Sequence, residues 1–330
     1  MPQSMGTFTP KSLILIEVCD ACNNTFSKLE TFFKEDSLEG FIAAQYQFRR
    51  DSSIRFRRDR LTFKNRMTGE QRVFDDMFPT LDPETGNAIP TPQVVIHGKN
   101  GYSQVLFLKG LKDAKGFANR INWTGEERES ICVFAKGDEQ LGELIAELRN
   151  RGIDYKELQQ ERLDLNCDGH FDCEFEGRLD REIMRVIAKI AFNYFAYCTI
   201  KSGLYDILYE DEFRAIRDFI LSDSGKTPVV ATRYSIAMKG QEHRSHIPFH
   251  FIRVSEQRGR IVAEVALFGH MKYVVELAKY PFRTASPSSF GLGHVFDLVK
   301  KTFYRADPVP FCLSNTSEFN IFSNVAGIKS

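Results

Sequence analysis

The chain has 330 residues, enough to bury a large core and to hold two or three compact units. Its 44 basic and 44 acidic residues cancel, so no global field draws it to nucleic acid or to a membrane, and any such field must be local. No uninterrupted apolar run reaches the roughly 18–20 residues that span a bilayer, and the N-terminus lacks the charged-then-apolar layout of a signal peptide. Seven cysteines, an odd number scattered over a long chain, suit a reducing compartment, so the expected location is cytoplasmic.

The chain first offers Cys19-Asp20-Ala21-Cys22-Asn23-Asn24. Two residues between thiolates let both sulfurs converge on one tetrahedral metal, so Cys19 and Cys22 are candidate zinc ligands. A closed structural site needs four donors, and the pair alone also fits two incidental thiols. A redox pair is disfavoured, because no βαβ pattern surrounds it. Behind the pair, Phe26, Leu29, Phe32 and Phe33 recur at helical spacing, with Asn23 and Asn24 as candidate caps. Asp36 with Glu39 reads as a capping-box start for a second short helix ending near Tyr46.

Residues 51–66 change character, with Ile54, Phe56, Leu61 and Phe63 alternating with basic side chains in a strand-like way. Arg49, Arg50, Arg55, Arg57, Arg58, Arg60 and Lys64, with Arg66, crowd this stretch against only Asp51 and Asp59. Arg55 and Arg57 share one strand face with Ile54 and Phe56 behind them, a geometry suited to phosphate contacts and hence to DNA. The alternative is a solvated edge strand protected by charge. Pro, Thr, Gly and Asp between Pro79 and Pro92 predict a loop, and Asn100-Gly101 predicts a hairpin joining Val94–His97 to Gln104–Leu108.

A third unit is expected from about residue 126. It opens with a strand at Ile131–Ala135 and a helix through Leu141, Leu144, Ile145 and Leu148, closed by Gly152. The best helix spans 179–200, with Ile183, Val186, Ile187, Ile190 and Tyr194 on one stripe, and another surrounds Phe213, Ile216 and Phe219. Strands follow at Val229–Met238, Ile247–Val254, Ile261–Phe268 and Met271–Ala278, with turns at Arg258-Gly259 and Gly269-His270. Helices segregated from an antiparallel meander predict an α+β fold, divided as 1–50, 51–125 and 126–330.

Several other patterns imitate sites. Asp164-x-Asn166-x-Asp168-Gly169 resembles the start of a calcium loop, but its twelfth position is Phe175, so an Asp-Gly hairpin into Phe171–Glu176 is expected instead. Cys167, His170 and Cys173 sit on alternating strand positions, which disfavours their completing the zinc set of Cys19 and Cys22. His243, His246 and His250 are expected to be surface or satisfied core histidines. Gly291-Leu292-Gly293 lacks the third glycine of a nucleotide loop.

Pro2-Gln3-Ser4-Met5-Gly6, then Val18-Cys19-x-x-Cys22-Asn23-Asn24-x-Phe26, then Asp36-Ser37-Leu38-Glu39-Gly40 together resemble the HNH endonucleases. The similarity is to the subgroup in which Asn follows the second cysteine pair of a ββα-metal finger, and it covers roughly residues 1–60. Asp180-Arg181-Glu182 and Ala188–Tyr194 resemble, more loosely, an element in the C-terminal part of such proteins. The resemblance implies metal-dependent hydrolysis of DNA by a His base and Mg or Mn, beside a structural zinc. It places Asn23 at a metal-site position and aligns Pro2 with the motif proline. In the family a Cys-x-x-Cys and a Glu-His precede that proline, so this sequence is expected to open inside the motif, as a longer protein read from an internal methionine or as a natural remnant. Ile14 also stands where other members have the mid-motif Asn. The expectation is an endonuclease-like protein lacking its general base. The alternative is a non-catalytic module that binds nucleic acid, a protein partner or a second copy of itself.

Overall fold

A computed structural model describes residues 20–46, 53–67, 77–82, 88–89, 91–107, 127–135, 137–150, 153, 158–160, 171–233, 248–269, 271–279 and 292–306. Helices and largely antiparallel sheets give the α+β fold expected. Helix α1 (Asp20–Asp36) carries Asp20 in its first turn and Lys34 in its last, matching the helix dipole. Phe26 and Phe33, seven residues apart, are buried on its inner face. Asn23 and Asn24 lie inside α1 instead of capping it, because the helix already includes Asp20.

Helix α2 (Leu38–Gln45) follows after a single residue, Ser37. Ser37 serves both helices: its Oγ donates to the Phe33 carbonyl at 2.5 Å and accepts from the Gly40 N–H at 2.9 Å. The N-cap is therefore Ser37, not Asp36 as the sequence suggested, and Glu39 turns inward instead of closing a box. Every residue from Glu39 to Gln45 is buried, because α2 lies between two sheets. A short helix that is apolar nearly all round is stable only in such a place.

The first sheet is built from β1 (Ser53–Arg57), β5 (Gln93–Gly98), β6 (Tyr102–Phe107), β7 (Arg128–Phe134) and β8 (Leu158–Gln160), in the order β1-β6-β5-β7-β8. The β5–β6 hairpin turns at Asn100-Gly101 as expected, with Gly101 at φ +80°, where a side chain is strained. Helix α3 (Gly137–Asn150) makes the crossover between parallel β7 and β8. Phe41 and Ala44 of α2 cover one face of this sheet with Val95, Val105 and Phe134, and Leu144 and Leu148 of α3 cover the other with Val94, Ile96 and Val133. Burial on both faces explains the unbroken apolar run Val94-Val95-Ile96. The sheet takes strands from both sides of the division expected near residue 126.

The second sheet comprises β10 (Val229–Arg233), β11 (Phe249–Glu256), β12 (Arg260–Leu267), β13 (Met271–Lys279), β14 (Leu292–Asp297) and β15 (Thr302–Ala306). It is fully antiparallel, in the order β10-β13-β12-β11-β14-β15. The meander β11–β13 is legible in the sequence; β14 and β15 are not. Helix α4 (Arg181–Lys201) lies across one face with α1 and with α5 (Arg214–Ser222), and its stripe Ile183, Val186, Ile187 and Ala191 joins the largest core. By length and composition α4 could cross a membrane, but it is mostly buried inside this core.

Two small ladders complete the chain. Thr80–Leu81 (β3) pairs with Ala88–Ile89 (β4) in the stretch expected to be loop. Leu61–Met67 (β2) pairs with Phe171–Gly177 (β9), so the ladder described for β9 is with a distant strand, not with a neighbour across Asp168-Gly169; that turn lies outside the described residues.

Asp36, at the end of α1, is 3% exposed, and among the described residues its Oδ1 has no hydrogen-bond partner. Burial raises its pKa from 3.8 to about 6, against the opposing pull of Arg60. A raised folded-state pKa means that the stability contribution is full below 3.8 and is lost as pH rises towards about 6. Asp36→Asn is expected to flatten the stability profile across that window, measured by urea unfolding at a series of pH values. An unchanged profile would show that Asp36 titrates normally.

Candidate functional site

The α1 start and the β1–β2 turn carry the sequence-predicted site residues, and α1 packs against β1. Cys22 sits in the first turn of α1, half-exposed and in no disulfide. Cys19 lies outside the described residues, as do the side chain of Asn23 and all of Arg49 and Arg50. Among the described residues no three His, Cys, Asp or Glu side chains come together to hold a metal. Cys173 lies on β9, while Cys167, His170, His243 and His246 lie outside the described residues. His250 is a satisfied core histidine: it is 1% exposed, and its Nδ1 accepts from the Phe268 N–H at 3.2 Å. Leu292-Gly293 opens strand β14.

The basic cluster divides into two kinds of arginine. Arg58 donates to the Gly98 carbonyl at 2.9 Å and to Glu129 at 2.5 Å, tying the β1–β2 turn to β5 and to the start of β7. Arg60 pairs with Asp180, the residue preceding α4, and its guanidinium lies 4.5 Å over the Phe32 ring of α1. These two pin the turn to the core. Lys64 has Glu174 as its register partner and Arg66 has Asp172, so the basic strand meets an acidic one.

Arg55 and Arg57 differ. Ile54 and Phe56 between them are buried, at 4% and 3% exposure, so the alternation read from sequence holds. Arg55 is exposed, with its guanidinium 4.1 Å over the ring of Tyr102; Arg57 lies 5.6 Å from the same ring. Arg57 also grips Asp59 with two bonds, at 2.9 and 2.6 Å, which hold the Asp59 carboxyl below its usual range. Sequence reasoning missed Tyr102. It directly faces Arg57 only because β1 pairs with β6, which no local pattern announces.

No family model, curated protein or solved structure matches this chain. The functional reading therefore rests on the residues themselves. β1 is the edge strand of its sheet and presents a cationic, aromatic-backed surface of Arg55, Arg57 and Tyr102. A phosphate is bound well by a guanidinium whose other face is held by an aromatic ring, because the fork is then pre-oriented.

A second polar group is buried between the two sheets. Glu39 of α2 is 1% exposed and hydrogen-bonds to the hydroxyl of Tyr273 on β13, itself fully buried. Among the described residues its Oε2 has no partner, nor has either end of the Gln45 side chain. Burial raises the pKa of Glu39 above 4.5 and that of Tyr273 well above 10. A glutamate in the second position of a helix ordinarily faces water, so nothing in the sequence marked this one.

Proposed function

We propose that this chain acts on DNA in the manner of the HNH endonucleases it resembles, supplying the helix that follows the second cysteine pair and an arginine surface that contacts the sugar-phosphate backbone. The observation that carries this reading is the exposed Arg55, seated on Tyr102 beside α1. Zinc at Cys19 and Cys22 belongs to this proposal and requires two further donors.

Strand cleavage also requires a base beside the attacking water, with Mg or Mn on the scissile phosphate. Asn23 and Asn24 can orient or ligate but cannot accept a proton at neutral pH. The first histidine in the sequence is His97, buried on β5 with its Nδ1 2.7 Å from Ser103 Oγ. The proposed activity of the chain by itself is therefore DNA binding without cutting.

Duplex binding is expected to weaken steeply with salt. Arg55→Ala should weaken it at every sequence and lower the slope of log K against log salt by about 1. Supercoiled plasmid should stay intact with Mg or Mn, and nicking by this chain would show that its site is complete. A second reading, a non-catalytic module for a protein partner, is favoured by the engagement of Arg58 and Arg60 in internal contacts. Under that reading Arg55→Ala leaves DNA affinity unchanged.

A further inference from the structure

His294 on β14 stands directly across from Arg305 on β15, the outermost strand of the second sheet. Opposite residues of an antiparallel pair leave the sheet on the same side. For His294 that side meets α4, where Tyr194 Oη lies 2.6 Å from His294 Nδ1 and the two rings meet edge-on at 5.7 Å. Phe303 closes on the imidazole from β15 at 5.7 Å, and Tyr194 also hydrogen-bonds to Cys198 one turn along α4. The imidazole is thus fixed through Nδ1.

The protonation states follow from the surroundings. Burial, then the charge of Arg305, lowers the pKa of His294 below 6.5, so the ring is neutral at pH 7. Burial holds the Tyr194 phenol far above its usual range, so its hydroxyl keeps a proton to donate. Tyr194 carries a single hydroxyl hydrogen: with the Cys198 S–H donating to Tyr194 Oη and that hydroxyl hydrogen directed to Nδ1, the ring's own hydrogen sits on Nε2. Arg305 is exposed, and among the described residues no acid or carbonyl pairs with it. Among the same residues no hydrogen bond uses Nε2 either. The carboxylate nearest His294 in sequence, Asp297, is occupied with the Val299 and Lys300 N–H groups and with the Lys300 ammonium, and Asp307 lies outside the described residues.

We propose that His294 Nε2–H and the Arg305 guanidinium form an oxyanion site at the outer edge of the second sheet, binding a phosphate group. Two available donors on adjacent strands, one carrying full charge and the other held rigidly by Tyr194, match the several acceptor oxygens of that group. The phosphate can belong to a free phosphomonoester or to a nucleic-acid backbone. The site is independent of the Arg55 surface and does not rest on the function proposed for it.

Proton–nitrogen correlation spectra of the histidine rings test this directly, with His294 assigned by loss of its signals in His294→Gln. The free protein is expected to show the Nε2–H tautomer, and inorganic phosphate should shift the His294 signals saturably. Arg305→Gln should weaken that titration about tenfold while leaving the tautomer unchanged. Repeating the titration with a short duplex in the Arg55→Ala variant separates the two sources. A shift there assigns the site to backbone phosphate, whereas a response to free phosphate alone assigns it to a small molecule. An Nδ1–H tautomer, or no saturable shift with phosphate or with DNA, would overturn the proposal.

Discussion

Gly40→Ala is expected to destabilise the folded chain by about 3 kcal/mol, at the upper end of ordinary overpacking. A Cβ on Gly40 would stand 2.6 Å from the Phe33 carbonyl oxygen and closer still to that of Lys34. Both obstacles are backbone, so no side chain can swing aside. The local backbone cannot retreat easily, because Ser37 is hydrogen-bonded to Phe33 on one side and to Gly40 on the other. Gly142→Ala makes the matching control. Gly142 is exposed on α3 with open space around its missing Cβ, so alanine there should stabilise by about 0.5–1 kcal/mol. The same chemical change is thus expected to act with opposite signs at two helical positions. Urea midpoints read both, and a neutral Gly40→Ala would mean that α1 and α2 do not approach this closely.

Tyr273→Phe should cost about 2 kcal/mol, since it removes the hydroxyl that partners a buried carboxyl and puts nothing in its place. The pH dependence has a definite sign. The folded-state pKa of Glu39 is raised, so its contribution is full below 4.5 and is lost as pH rises through the folded value. Glu39→Gln is expected to abolish that loss. The comparison is best made in an Asp36→Asn background, which removes the other raised carboxyl of this region. There, the difference in pH profile between the protein that keeps Glu39 and the one that carries Glu39→Gln isolates the one group. Equal slopes with and without the carboxyl would show that Glu39 titrates in the folded state as it does in the unfolded chain.

How much of this was legible depended on how far apart the interacting residues lie. Asn100-Gly101 and Arg258-Gly259 set hairpins whose strands adjoin in sequence, and Arg258 and Gly259 adopt the positive φ that such a turn requires. The stripe of α4 needs only 3.6-residue periodicity, and it too is visible in the sequence. The pairing of β2 with β9 and of β1 with β6 depends on the whole chain, so neither the register of Lys64 with Glu174 nor the seat of Arg55 on Tyr102 could be seen there. The strand at Leu292–Asp297 is hidden in the sequence, because Gly291-Leu292-Gly293 at its start imitates an incomplete nucleotide loop. At the candidate site, the alternation of Arg55 and Arg57 with buried Ile54 and Phe56 is a local pattern and agrees with the structure. The different fates of these arginines are not set by local pattern: Arg58 ends on Glu129, Arg60 on Asp180 and Arg55 over Tyr102, according to tertiary neighbours.

The bond between Glu39 and Tyr273 joins residues 234 positions apart. During synthesis, α1 and α2 emerge long before the sheet that covers them. At about 5–20 residues per second, their apolar faces wait roughly 10–50 s for β13 to leave the ribosome. Throughout that interval Phe26, Phe33 and Ile42, all of which end in the largest core, have no second sheet to bury them. The nascent chain is therefore expected to depend on holding chaperones over its first half, and rapid translation should favour soluble yield over slow translation.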